Sequence, residues 1–81
     1  MISPEQCRAG RALVAMDQAD LAQSARVSRN TIVDFEKGRR TPNTNNLAAI
    51  KGALEAVGVI FIDEDSQGPG VRLRERRRAA G

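Results

Sequence analysis

Residues 18–38 read QADLAQSARVSRNTIVDFEKG, and this stretch decides the fold. It contains two short helical segments, each preceded by a residue type that favours a helix N-cap, Asp17 and Ser28. Two short helices joined by a tight turn cross at a steep angle, so the first must present a small residue where the second crosses it. Ala22 meets that requirement. The stretch therefore predicts a helix-turn-helix motif from about residue 18 to residue 35.

The spacing of the apolar residues also predicts which side chains lie inside this motif. Four apolar residues have the spacing needed to fill the angle between the two helices: Leu21, Val27, Ile32 and Phe35. Ile32 and Phe35 lie three residues apart, on one face of the second helix. Gly38 follows as a C′ residue that ends this helix. The remaining positions of the second helix are predicted to face outward.

Further helices are predicted on both sides of the motif. The capping-box sequence Ser3-Pro4-Glu5-Gln6 begins a helix that runs to about Ala15. Its apolar residues form a rough stripe: Cys7, Ala9, Ala12, Leu13 and Met16. A fourth helix begins at Thr44 and is ended by Gly58. Its apolar residues recur at spacings of three and four: Leu47, Ile50, Ala53, Leu54 and Val57.

The C-terminal segment has a different character. Residues 59–62 form a continuous apolar run typical of a strand, and residues 71–74 alternate apolar and basic as a half-exposed strand does. Residues 64–70 between them are rich in acid, glycine and proline, which favours a turn. The predicted fold is mainly α: a four-helix domain over residues 1–58, then a β-hairpin or strand pair and a basic tail over residues 59–81.

The motif and its flanks resemble the phage-repressor (Cro/cI-like, XRE) family of helix-turn-helix transcriptional regulators. The resemblance covers about residues 4–57. Besides the apolar positions above, it includes Ala22, the Glu36-x-Gly38 ending, the Arg39-Arg40-Thr41-Pro42 loop and the Leu47-x-x-Ile50 helix. It implies a four-helix, repressor-like DNA-binding domain that acts in the regulation of transcription.

Arg26 departs from the family pattern, which usually has glycine in the turn. A non-glycine residue in the left-handed conformation costs roughly 1 kcal/mol. Two interpretations are open. Either the strain is tolerated, or the turn is remodelled and the second helix of the motif changes its angle.

In this family the second helix of the motif lies in the major groove, with its N-terminal residues on base edges. The resemblance makes its outward residues the candidate base contacts: Ser28, Arg29, Asn30, Val33 and Asp34. Arg29 suits guanine and Asn30 suits adenine, because each offers paired hydrogen bonds. Val33 suits a thymine methyl group. Asp34 either accepts a hydrogen bond from cytosine or orients Arg29 or Lys37.

Candidate phosphate contacts surround this helix: Gln18, Gln23, Thr31, Lys37, Arg39, Arg40 and Asn43. The resemblance places Gln18 at a helix N-terminus, where its side chain and backbone N–H both meet phosphate. Such contacts position the protein on DNA without reading sequence. The resemblance also implies a structural ion pair between Arg11 and Glu36, which ties the first helix to the end of the third.

The apolar strand is the candidate dimerisation segment, formed by Val59, Ile60, Phe61 and Ile62. A strand that is apolar on both faces needs cover on both sides and a partner for its free edge. One hypothesis is that two chains pair here across a two-fold axis. The other is that the strand packs on its own helices and dimerisation occurs elsewhere. Five arginines of this segment either add non-specific DNA affinity or form a solvated strand face and tail: Arg72, Arg74, Arg76, Arg77 and Arg78.

Composition narrows the classes of function. The 81 residues carry 13 Lys and Arg against 10 Asp and Glu, a surplus that weakly favours an anionic partner. With one cysteine and no histidine, the sequence predicts no internal disulfide and no zinc site, and it offers no nucleophile–base pair for an enzyme. No apolar run reaches the ~20 residues of a membrane span, so we expect a cytoplasmic protein.

The leading hypothesis is a homodimeric transcriptional regulator, a repressor that reads a palindromic operator in double-stranded DNA through the major groove. It predicts no cofactor and no metal. The alternative is an antitoxin, whose C-terminal segment binds a toxin protein while the helical part autoregulates the operon. A third hypothesis is a protein-binding adaptor that keeps the fold without recognising DNA.

Overall fold

Four helices precede a two-stranded antiparallel sheet in a computed structural model that describes residues 1–63 and 68–75. The elements are α1 (Pro4–Leu13), α2 (Gln18–Ala25), α3 (Arg29–Glu36), α4 (Thr44–Ala56), β1 (Val59–Ile62) and β2 (Gly70–Leu73). This architecture confirms the predicted mainly helical fold with a C-terminal hairpin. The predicted basic residues Arg76, Arg77 and Arg78, and part of the predicted turn, lie outside the described residues.

Each helix begins at a side chain that accepts a hydrogen bond from the first turn. The predicted N-caps Ser3, Asp17 and Ser28 are confirmed, and Ser3 forms the full capping box with Gln6. Asn43 caps α4, and its Oδ1 accepts from the Asn46 N–H at 2.8 Å. These caps satisfy backbone donors that a helix leaves free at its N-terminus.

Each of the four helices is followed within two residues by a residue of positive φ: Ala15, Arg26, Gly38 and Gly58. Arg26 has φ 57 and ψ 44, and the Val27 N–H donates to the Ala22 carbonyl at 3.0 Å. The turn therefore keeps its geometry and Arg26 carries the strain. Gly38 ends α3 with φ 73. Ala15, with φ 53, ends α1 earlier than predicted, since a residue in this conformation cannot continue a right-handed helix.

The core lies between α2, α3 and α4 and reaches α1. Leu21, Ile32, Ile50 and Leu54 are fully buried. The predicted stripe on α1 is only partly right, because Ala9 and Ala12 are exposed. Within residues 1–63 and 68–75, no helix has both the length and the apolar character needed to cross a bilayer.

The buried face of α1 consists of Gln6, Cys7 and Gly10, and not of the predicted stripe as a whole. This face receives the hairpin, in which Val59 pairs with Leu73 and Phe61 with Val71. Gly10 lies against Val59 and Leu54: a Cβ added to it would lie 3.4 Å from Val59 Cγ1 and 3.5 Å from Leu54 Cδ1, which is ordinary van der Waals contact. The sequence pattern of α1 alone did not reveal this, because the covering strand is distant in sequence.

Gln6 fastens the hairpin to α1. Its Nε2 donates to the carbonyls of Ile62 and Gly70 at 3.0 Å each, while its Oε1 accepts from the Ser3 N–H at 2.9 Å. An isolated two-stranded hairpin is marginally stable in water. Docking against α1 supplies the apolar contacts and the polar anchor that it needs.

Candidate nucleic-acid interface

One face of α3 is turned away from the core. Ser28, Arg29 and Asn30 are exposed at its N-terminal end, and Val33 and Asp34 are half-buried one turn further on. The opposite face carries the buried Ile32 and Phe35: Ile32 is fully buried and Phe35 nearly so. The structure thus brings all five candidate base contacts to one exposed side of a helix: Ser28, Arg29, Asn30, Val33 and Asp34. An α-helix with its side chains is about 10–12 Å in diameter and fits the major groove of DNA, which is about 12 Å wide.

Ser28 also has a structural task. Its Oγ accepts from the Thr31 N–H at 3.1 Å and lies 2.8 Å from Thr31 Oγ1. The two hydroxyls therefore form a local pair at the start of α3, which leaves Arg29 and Asn30 as the fully outward polar side chains of its first turn.

The N-terminus of α2 lies beside that of α3. An open pocket of about 450 Å³ is lined by Arg11, Asp17, Gln18, Ala19 and Arg29. Gln18 and Arg29, predicted to contact phosphate and base respectively, thus share one surface. Backbone N–H groups at a helix N-terminus favour an anion, and Arg29 adds a cation beside them.

The other end of α3 carries further cations. Lys37, Arg39 and Arg40 are exposed where the chain leaves the helix. The Asp34 carbonyl accepts from the Arg39 N–H at 2.9 Å and so holds the start of this loop. The remaining phosphate candidates Gln23 and Asn43 are exposed, and Thr31 is half-buried. Basic groups therefore lie at both ends of the outward face of α3.

Glu36, the last residue of α3, is a buried carboxylate with four hydrogen bonds. Arg11 donates twice at 2.7 Å, from Nε to Oε2 and from Nη2 to Oε1. Cys7 Sγ donates to Oε2 at 3.0 Å and Gln18 Nε2 to Oε1 at 3.1 Å. Only 3% of Glu36 is exposed. One side chain thus joins α1, the N-terminus of α2 and the C-terminus of α3.

Comparison with known proteins agrees with this geometry. A family model described as helix-turn-helix matches residues 8–58. The chain is similar to the solved DNA-binding domain of the P22 C2 repressor, with 33% sequence identity and a TM-score of 0.62, over 68% of this chain and 72% of that one. The chain belongs to the XRE-type helix-turn-helix family. This confirms the resemblance found in the sequence, to a family of DNA-binding transcription regulators. No curated protein matches the chain.

The XRE-type pattern implied the pair of Arg11 and Glu36, and the structure adds three partners to it: Gln18, Cys7 and Arg8. Cys7, predicted as part of the apolar stripe of α1, is also a hydrogen-bond donor to Glu36. Arg8 donates from Nη1 to the Glu36 carbonyl, although no sequence signal pointed to it. Cys7 and Arg8 lie on the face of α1 that meets α3. Only the spatial arrangement of the helices identifies them.

The charge states at Glu36 follow from burial and hydrogen bonding. Burial alone would raise the pKa of the Glu36 carboxyl, but the hydrogen bonds from Arg11, Cys7 and Gln18 stabilise the carboxylate and hold its pKa below the ordinary value. The hydrogen bond to Glu36 raises the pKa of Arg11. Burial, and then the bond to Glu36, raises the pKa of the Cys7 thiol well above its usual range. At neutral pH the cluster holds a carboxylate, a guanidinium and a neutral thiol.

The strand assigned to dimerisation divides into two faces. Val59 is only 2% exposed and belongs to the core, and Phe61 packs against that core. Val59 therefore has almost no surface to offer a second chain, whereas Phe61 is half-buried. Ile60 is half-buried and Ile62 is 38% exposed, on the other face of the hairpin. The cause is the docking of the hairpin on α1 and Leu54.

Proposed function

We propose that this protein binds double-stranded DNA at a specific sequence and represses transcription as a homodimer on a palindromic operator. The single observation that supports this most strongly is the division of α3 into two faces. Ile32 and Phe35 are buried, while Arg29 and Asn30 project outward without a hydrogen-bond partner in the described part of the chain. Polar side chains without a partner on a helix of the fold are available to bind DNA.

Base reading is assigned to the outward face of α3. Arg29 donates to O6 and N7 of a guanine, and Asn30 pairs with N6 and N7 of an adenine. Val33 contacts a thymine methyl group, and Asp34 accepts from cytosine or orients a neighbouring cation. Ser28 contributes at the edge of this surface, since its hydroxyl already caps the helix.

Phosphate binding is assigned to the residues that surround this face: Gln18, Gln23, Thr31, Lys37, Arg39, Arg40 and Asn43. For Gln18 the structure favours the backbone N–H at the start of α2, because its side-chain amide already donates to Glu36. The P22 C2 repressor fragment, described as a DNA-binding domain, supports this use of the fold. These groups set affinity and register and do not read sequence.

Repression follows from occupancy of a promoter by two chains. A dimer places two recognition helices about 34 Å apart, one turn of DNA, and so selects a palindromic site. Residues 1–58 supply the DNA-reading part, and residues 59–81 supply the association segment and the basic tail. Arg72 and Arg74 are exposed on or just beyond β2, where they add non-specific attraction to DNA.

Selection of bound sites from random DNA, followed by titration of variants, tests this function. Arg29→Ala and Asn30→Ala should each weaken the selected site by about 1–3 kcal/mol and relax preference at one base position. Arg40→Ala should weaken selected and scrambled DNA alike and reduce the salt dependence. Lys51→Ala removes the same charge from α4 and should leave affinity unchanged. No selected sequence, or equal losses for Arg29→Ala on matched and scrambled DNA, would contradict the proposal.

An antitoxin is the second candidate function. The observation that favours it is the uncovered outer face of the hairpin, where Ile62 is exposed. In this hypothesis the C-terminal segment binds a toxin protein and the helical part represses their shared promoter. A second protein that co-purifies with the chain in a fixed ratio would support it, and isolation of the chain alone from its own cells would count against it.

A further inference from the structure

The Glu36 carboxylate is bonded on both of its oxygens by side chains from two other helices. Arg11 donates to each oxygen at 2.7 Å. One further donor lies on each: Cys7 Sγ is 3.0 Å from Oε2, and Gln18 Nε2 is 3.1 Å from Oε1. The thiol of α1 and the amide of α2 therefore meet through a single carboxylate at the end of α3.

The Cys7 thiol is placed to donate a hydrogen bond and not to react. Its side chain is fully buried, and burial together with Glu36 raises its pKa and keeps it protonated at neutral pH. A free cysteine fills core space as a small apolar residue does, so the S–H group is what distinguishes it here. Without that donor, Oε2 would keep one hydrogen bond while Oε1 keeps two. Because an underbonded oxygen is costly in a buried site, the carboxylate would shift.

Gln18 lies where this carboxylate meets the candidate DNA surface. It is the first residue of α2, it is half-buried, and it lines the open pocket that Arg29 also lines. Its hydrogen bond to Oε1 of Glu36 joins the start of α2 to the end of α3. The position of Oε1 therefore affects where the first backbone N–H groups of α2 lie relative to the outward face of α3.

We propose that Cys7 is a positioning residue for DNA binding, whose thiol holds the Glu36 carboxylate in the orientation in which Oε1 accepts from Gln18. The start of α2, assigned to phosphate, then keeps its place beside Arg29, assigned to a base. Cys7 touches no DNA, because no part of it reaches the surface. Its effect on DNA rests on the proposed function, whereas its effect on Glu36 and Gln18 is measured without DNA.

Two cysteine variants and one matched control test the proposal by NMR of the full chain without DNA. Cys7→Ala removes the donor, so it should move the Gln18 side-chain amide resonances and raise the pKa of the Glu36 carboxyl by roughly 0.5–1. Cys7→Ser returns a donor at nearly the same place and should restore both toward the unmodified values. Ile50→Val also removes one heavy atom from a fully buried side chain, but that side chain donates nothing to Glu36, so it should change neither.

The unmodified chain offers a second measurement, which needs no variant to fold. Cys7 is the only cysteine, so the chain has a single S–H stretching band in the infrared. A hydrogen bond from the thiol to a carboxylate lowers the frequency of this band relative to that of an unbonded thiol. We expect the lowered frequency, and a band at the unbonded frequency would overturn the proposal.

Titration of the operator selected for the unmodified chain measures the consequence for DNA, at a temperature where thermal unfolding shows every variant folded. Cys7→Ala should weaken binding about three- to tenfold, whereas Cys7→Ser and Ile50→Val should bind nearly as the unmodified chain does. Three results would each overturn the proposal: unchanged Gln18 resonances and Glu36 pKa in Cys7→Ala, no restoration by Cys7→Ser, or normal operator binding by Cys7→Ala.

The two proposals fail separately. Operator binding by the unmodified chain, without the NMR changes in Cys7→Ala, would refute the role of Cys7 and leave the proposed function standing. The expected NMR changes in a chain that selects no DNA sequence would refute the proposed function, while confirming that the thiol positions Glu36 and Gln18.

Discussion

The guanidinium of Arg11 on α1 is held by the carboxylate of Glu36 on α3 through two hydrogen bonds of 2.7 Å each. The Arg11 side chain is 19% exposed and that of Glu36 2%. The pair therefore lies in a largely water-excluded site, where each charge depends on the other. The orientation of α3 relative to α1 rests on this pair.

Arg11→Met should lower the free energy of unfolding by about 3–5 kcal/mol, because it leaves the buried Glu36 carboxylate without its cation. Urea denaturation at pH 7 measures the change. The double variant Arg11→Met with Glu36→Leu should be more stable than Arg11→Met alone, since no unpaired charge remains. A double variant that loses the sum of the two single effects would show that the pair does not couple.

Stability should fall as the solution is acidified through the pKa of Glu36. The folded state holds this pKa below its unfolded value, so the carboxylate stabilises the fold above the unfolded pKa, and that contribution is lost as pH falls through the lower, folded pKa. The free energy of unfolding, measured from pH 7 down to about pH 2, should show this loss. Glu36→Gln should be less stable at pH 7 and show a flatter acid limb, and an unchanged acid limb would place the titration elsewhere.

Glycine at the left-handed positions should stabilise the fold. Arg26 and Ala15 have φ 57 and φ 53, a conformation that costs a side chain about 1 kcal/mol or more. Arg26→Gly and Ala15→Gly should each raise the free energy of unfolding by up to about 1 kcal/mol, reduced by the greater chain entropy of glycine. Gly38→Ala, at φ 73, is the opposite change and should destabilise by a similar amount. Thermal melting of the three variants checks the signs.

Gln6 should control how firmly the hairpin is attached. Gln6→Glu keeps an acceptor for the Ser3 N–H but removes the donor to the Ile62 and Gly70 carbonyls, and should cost about 1–3 kcal/mol. Amide hydrogen exchange should speed up first in β1 and β2. Ser3→Ala, which removes the cap but keeps these two bonds, should affect the start of α1 instead. Equal exchange in the hairpin of both variants would contradict this role.

Local signals in the sequence predicted the helical frame well. Asp17 and Ser28 were recognisable as N-caps, and Gly38 as a helix end, because each acts on its own neighbours in the chain. Cys7 and Gln6 were understood only in part. Their decisive partners, Glu36 and the carbonyls of the hairpin, are 29 or more residues away. A pattern read along the chain cannot reveal which distant atom a side chain will meet.

The hairpin shows the same limit. The apolar run of β1 correctly predicted a strand, yet the sequence left open whether a second chain or its own helices would cover it. In the structure the chain's own helices cover the inner face of β1, where Val59 is buried and Phe61 is half-buried against the core. The strand and the helix that it meets are about 50 residues apart in the sequence, so no local pattern could show this contact.

On α3, the residue that anchors the helix differs from the residues that point outward, and this separation has an evolutionary consequence. Glu36 anchors the helix, whereas the side chains of Arg29 and Asn30 make no hydrogen bond within the described part of the chain. Exchanging those two side chains leaves the scaffold intact. Under the proposed function, a lineage that carries this domain is free to drift toward new DNA sites, one outward residue at a time, without first losing its ability to fold.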